Sequence, residues 1–265
     1  MINTQLMSIW SYRGFIWGSV QREFQSRYRN SMLGGLWAIL NPLATIFIYT
    51  VIFSQLMKVR LPGINDTLAY SVYLCAGILT WGLFAEIIQR CQTVFIDNAN
   101  MLKKLNFPRI CLPVIVVLNA GVNFVISFGL FFCFLIVVGR FPGWVIWCVP
   151  LVLVVQVALA MGLGVVLGIM NVFFRDVGQI VGIILQFWFW FTPIVYPMSI
   201  LPEPVQFLIR LNPMTSVVSA YQSILVYGRS PDWYSVIPAA ILALVVCLLA
   251  VGLYRRRAGE MVDEI

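Results

Sequence analysis

Six long apolar runs dominate this chain, approximately 36–57, 68–88, 110–138, 144–170, 177–196 and 234–254. About 20 apolar residues cross a hydrocarbon layer about 30 Å thick, and each run meets that length. In lipid every backbone N–H and C=O needs an internal partner, so such runs fold as helices. The expected fold is an all-α integral membrane protein with six transmembrane helices. Composition supports this: 61% of residues are hydrophobic and 10% charged, against about a quarter charged in soluble domains. A water-facing surface cannot be built from the remainder. The chain, 1–265, reads as one membrane domain. Its first twenty residues lack the continuous apolar core of a cleavable leader, so insertion is expected to rely on the spans themselves.

A net charge of +7 invites thoughts of nucleic acid, but the basic residues sit in short clusters between the apolar runs. With six spans both termini share a side. That side carries twelve Lys and Arg (13, 22, 27, 29, 90, 103, 104, 109, 175 and 255–257), and the other carries five (58, 60, 140, 210 and 229). The excess places both termini in the cytoplasm, with no nucleic-acid partner expected.

Two segments read as helical without crossing. In 11–33, Trp17, Val20, Phe24 and Tyr28 recur at spacings of three and four, the pattern of an amphipathic helix lying in the cytoplasmic interface. A plain membrane anchor and a docking surface for a cytoplasmic partner both fit it. In 198–232, Pro204–Leu211 and Met214–Tyr227 are too short to span and are broken by Asn212-Pro213. They predict an external re-entrant or interfacial hairpin, and Pro204, Asn212, Pro213 and Met214 become candidates for an outer gate.

Some chemistry is missing. A phosphate-binding loop needs a lysine after a glycine, and none of the three lysines (58, 103, 104) follows one. The chain is therefore expected to hydrolyse no ATP and to carry no cofactor. It has no histidine, and its six cysteines are scattered, which predicts buried thiols and no metal site. Glu86 and Arg90 fit an i,i+4 ion pair near the cytoplasmic end of the second span, and Arg175-Asp176 lies in a turn. No midplane carboxylate remains to carry a coupling proton, and no acid–base set suggests an enzyme.

Two other stretches carry functional readings. In 97–108, Asn98 or Asn100 can cap a short helix, Leu102 and Leu105 give it an apolar edge, and Lys103 and Lys104 add charge before Pro108. Held between two spans, such a helix could convert a push from a partner into tilting; an ordinary topology loop is the alternative. The fifth run ends Phe187-Trp-Phe-Trp-Phe-Thr-Pro-Ile-Val-Tyr196. Ring faces can hold the C–H faces of sliding sugars, or the rings can form an interfacial belt. Five consecutive aromatics point all round a helix, so at most half face one channel.

The segments Tyr28-Arg-Asn-Ser-Met-Leu-Gly34, Leu36-Trp37 with Asn41-Pro42, Lys104-Leu-Asn-Phe-Pro-Arg-Ile110, Phe174-Arg-Asp176, Thr192-Pro-Ile-Val-Tyr196 and Asn212-Pro-Met214 occur in order. Together they resemble the permease family of ABC type-2 polysaccharide exporters, closest to the O-antigen exporter permeases, from about residue 10 onward. The resemblance implies a homodimer with two ATP-binding subunits that hold ATP and Mg. The cargo implied is a polysaccharide on undecaprenyl diphosphate. It further implies a coupling helix containing Asn98, Asn100, Leu102, Lys103, Lys104, Leu105, Phe107 and Arg109. Tyr49, Phe53, Phe187, Trp190, Phe191 and Tyr196 would line the path. Arg22, Arg27 and Arg29 would meet lipid diphosphate, although attraction to anionic head groups suits the same charges. Within that fold a capsular polysaccharide, a teichoic-acid-like polymer, a lipid or a drug is the alternative cargo. Outside it stand a secondary carrier, a channel or a polyprenyl-lipid enzyme.

Overall fold

The computed structural model describes residues 10–29, 32–56, 67–104, 108–257 and 259–264. Leu105 and Phe107, and the charged pair Lys58 and Arg60, lie outside the described residues. Every regular element among those described is helical. In order these are α1 (Arg13–Tyr28), α2 (Trp37–Thr50), α3 (Thr67–Asp97), α4 (Ala99–Lys104), α5 (Cys111–Val137), α6 (Val149–Phe173), α7 (Asp176–Trp190), α8 (Glu203–Arg210), α9 (Pro213–Leu225), α10 (Trp233–Arg257) and α11 (Glu260–Glu264).

Five stretches are long and apolar enough to cross a membrane: Gly34–Phe53, Leu68–Asp97, Cys111–Val137, Gly143–Phe173 and Trp233–Arg257. The sixth run departs from expectation. α7 stops at Trp190, and its 15 residues reach about 22 Å at 1.5 Å per residue. Pro193 explains the early stop, because it lacks an N–H and disfavours helical geometry in the residue before it. The first run ends differently, with a π-helical turn at Val51–Leu56 following α2.

α3 is the central post. Its most apolar stretch is 72% buried, whereas that of the first crossing is 6% buried. α2 therefore offers most of its surface to lipid or to another chain. The α3–α6 contact is made close by glycine: a Cβ on Gly164 would sit 2.6 Å from the Cys91 Cβ, and one on Gly168 would sit 2.5 Å from the Cys91 carbonyl oxygen. Gly162 faces α10 in the same way, with a built Cβ 3.0 Å from the Cys247 nitrogen. Small residues let backbones approach where lipid supplies no hydrophobic drive between helices.

Opposite ends of the bundle are capped by different elements. The near end carries α1, α4 and Arg255–Arg257; the far end carries α8 and α9. At the near end Ile16 and Val20 of α1 pack on Cys111 and Ile115 of α5. Of the expected apolar row Val20 is buried there, whereas Trp17 points outward. At the far end α8 is exposed apart from Ile209 and the half-buried Gln206, whereas α9 is sunk into the core through Met214, Val217, Val218, Tyr221 and Ile224. Only the α8 half of the hairpin lies on the surface.

Candidate functional site

After Trp190 the chain is no longer helical, so its carbonyls need partners from elsewhere. They receive them from four side chains. Tyr73 donates its hydroxyl to the carbonyls of Pro193 (2.9 Å) and Tyr196 (3.1 Å). Tyr70 donates to Val195 at 2.5 Å, and Gln222 donates its amide to Pro193 at 3.2 Å. Asn212 acts in both directions. It caps α9 by accepting from the Met214 N–H at 3.0 Å and accepts the Trp188 indole N–H at 2.7 Å. Its amide donates to the Phe191 carbonyl (3.2 Å) and to the Thr192 hydroxyl (2.9 Å). The turn 191–196 is thereby tied to α3 and α9 at once.

This lock decides where the aromatic row points. Trp188 packs inward on Phe84, with centroids 5.2 Å apart, and Phe189 contacts Trp81 at 5.8 Å. Phe187, Trp190 and Phe191 are 64%, 58% and 63% exposed, so three of the five rings face outward. Tyr196 is half-buried and donates its hydroxyl to the Trp190 carbonyl at 2.6 Å. The other predicted path rings join a ladder: Tyr49 stacks on Phe53 (6.1 Å), Phe53 meets Tyr70 (5.5 Å) and Tyr70 meets Tyr73 (6.2 Å). Through Tyr70 and Tyr73 that ladder ends on the locked turn. Among the gate candidates, Pro204 and Pro213 lie at the starts of α8 and α9, Asn212 is the lock, and Met214 is fully buried packing.

The near end is held by charge. Arg90 of α3 forms ion pairs with Glu23 of α1 and, at 3.4 Å, with Glu86. Asn119 of α5 donates to Glu23 at 2.5 Å, and Asn123 donates to Glu86 at 2.8 Å. Arg27 approaches Glu86 at 3.9 Å, which draws one of the three arginines expected to meet lipid diphosphate into the network. Arg22 donates to Ser19 and, like Arg29, is exposed. Arg22 also lines a cavity of about 410 Å³ together with Glu23, Arg90, Asp97 and Asn98.

In the predicted coupling segment, Asn98 closes α3 by donating to the Val94 carbonyl at 2.8 Å, and its own carbonyl accepts the Met101 N–H. Asn100 and Lys103 are exposed on α4. Leu102 and Lys104 lie on that helix too, and Arg109 is half-buried in the turn before α5. A neutral clamp lies beside the Phe174–Asp176 turn: Asn171 donates to the Gln92 carbonyl and accepts the Gly178 N–H, both at 3.0 Å.

Sequence likeness decides the family, since residues 15–226 match the ABC-2 type transporter model. The chain belongs to the ABC-2 type transporter family. Relatives of this ABC-2 permease include the O-antigen export system permease protein RfbA of Myxococcus xanthus, 31% identical over 97% of both chains. An RfbA of Klebsiella pneumoniae is 33% identical over 78% of both chains. The polysialic acid transport protein KpsM of Escherichia coli is 22% identical over 92% of this chain and 93% of its own.

Several groups that organise the permease escape sequence reasoning. Tyr70, Tyr73 and Gln222 look like ordinary members of apolar helices, and their partners lie 29 to 125 residues away. Asn212-Pro213 carries a readable signal, an N-cap before a proline at the first helical turn. Glu23 offers none, because its partner Arg90 is 67 residues distant.

Proposed function

We propose that this ABC-2 permease is the membrane subunit of an ATP-driven exporter that moves an undecaprenyl-diphosphate-linked polysaccharide, of the O-antigen kind, across the bacterial inner membrane. The observation that carries the reading is the locked turn 191–196, which holds Phe187, Trp190 and Phe191 outward at the far end. Outward rings on a fixed frame suit a polymer that is gripped weakly and slides. Two copies would form the path between them, with two ATP-binding subunits supplying ATP and Mg chemistry at the near end. Both termini and 97–108 would face the cytoplasm. α7 and the turn would make the sixth crossing, since non-helical backbone is tolerated at membrane depth where protein covers it. The α8–α9 hairpin would form the outer gate, and Arg22, Arg27 and Arg29 would meet the lipid diphosphate. The likeness to KpsM supports a second reading on the same fold, with a capsular polysaccharide as cargo.

The test is reconstitution with the partner ATPase in proteoliposomes holding lipid-linked O-polysaccharide. ATP-dependent appearance of glycan on the far side is expected. Replacing Lys103 and Lys104 together with Glu should abolish it while leaving membrane insertion intact. Transport by the permease alone under an ion gradient would sink the reading, and transport of capsular glycan in place of O-polysaccharide would favour the second.

A further inference from the structure

A groove of about 380 Å³ lies between α3 and α7. Its walls are two stripes at i, i+4, i+8 spacing: Trp81, Ala85 and Gln89 on α3, and Gly182, Gln186 and Trp190 on α7. Each stripe runs about 12 Å along its helix. The helices are antiparallel, so the rings of Trp81 and Trp190 gather at the outer end while the amide of Gln89 lies deeper, near Gly182. Phe189 joins the rings, its centroid 5.8 Å from Trp81 and 5.4 Å from Trp190.

Gln89 and Gln186 are exposed and make no hydrogen bond among the described residues. An exposed amide is costly against hydrocarbon, so Gln186 needs a wet or polar neighbour, while Gln89 stands next to Arg90 of the charged near end. A carboxamide offers two donors and a carbonyl acceptor, which match the paired hydroxyls of a sugar. Ala85 and Gly182 keep the floor low, and a Cβ on Gly182 would meet nothing within 4 Å. Small polar-and-aromatic sites of this size hold small organic ligands.

We propose that the α3–α7 groove is a glycan subsite in which Gln89 and Gln186 hydrogen-bond the hydroxyls of one pyranose residue while Trp190 and Phe189 cover its C–H face. This rests on the export reading above and adds a polar contact to it. The amides hold each passing residue in register, and the rings let it leave. A second copy of this chain, pairing the same amides across an interface, is the competing occupant.

The experiment uses the full permease with its partner ATPase, in cells that display the native polysaccharide, and measures surface glycan per permease molecule. Gln186→Leu and Gln89→Leu should each lower export severalfold, and the double variant about tenfold or more, each lost pair being a net hydrogen bond. Gln186→Asn should retain part of the activity. Gly182→Leu fills the groove without meeting the fold and raises helix propensity, so it should block export at normal expression. Cysteine crosslinking in membranes reports self-association in parallel. Unchanged export in both the double Gln variant and Gly182→Leu overturns the subsite. Loss of export that tracks loss of crosslinked dimer also overturns it, in favour of the interface. No glycan on the surface with the wild-type permease would overturn the function reading and the subsite together, a result distinct from wild-type export that ignores these substitutions.

Discussion

The two ends of the bundle solve one problem, fixing a peripheral segment to a helical post, with opposite chemistry. At the near end α1 is fixed to α3 and α5 by Glu23, Glu86, Arg90 and Arg27, groups that keep their charges partly in water. At the far end the turn after α7 is fixed by Tyr70, Tyr73, Asn212 and Gln222, all neutral. Neutral donors suit a segment sunk among helices, where an unpaired charge would be far more expensive than an unpaired hydroxyl. Charge pairs suit a surface helix, because solvent softens each bond and lets α1 shift without an all-or-none rupture. The difference teaches that the far turn is built to hold still and the near helix to yield.

Substitutions sharpen or break that contrast. Asn212→Ala should have the largest effect, about 3 kcal/mol, since it removes a helix cap and orphans the Trp188 N–H and Phe191 carbonyl. Loss of thermal stability in detergent, with Trp188 fluorescence shifting, is the readout; Asn212→Asp should recover the cap and the Trp188 acceptor but neither bond donated to Phe191 and Thr192. Arg90→Ala should cost about 2 kcal/mol, below a fully buried pair because its side chain is 24% exposed. Protease access to α1 should rise while the far end stays protected. Tyr73→Phe should cost about 1 kcal/mol, one hydroxyl proton being shared by two carbonyls. Smallest is salt: going from 0.1 to 1 M shortens the screening length from about 10 to about 3 Å. Hydrogen exchange should then quicken in α1 and stay level in 191–196. Equal quickening at both ends would erase the contrast.

Much of the architecture is legible in the residues. Five apolar runs become helices long and apolar enough to cross a membrane, the second running on to Asp97 past its expected end at 88, and the proline turn at Asn212-Pro213 separates two short helices as expected. The sixth run shows why hydropathy alone is insufficient: Phe191–Tyr196 is as apolar as a span but follows proline geometry. The burial of α9 is hidden because its thirteen residues mix apolar side chains with Ser, Thr and Gln, a pattern that reads alike at an interface and in the core. Which side of α1 meets protein is not legible, because Ile16 and Trp17 are adjacent apolar residues and only packing on Cys111 and Ile115 chooses between them. Glu86–Arg90 is visible as a local pair, whereas its extension to Glu23, Asn119 and Asn123 needs three helices assembled.

Gly164 and Gly168 leave no side-chain cushion between α3 and α6, and such a seam has only one way to fit. These two helices then travel as a single beam. If the export reading holds, widening a path past that beam would fall to the thinly packed α2 rather than to α3 or α6.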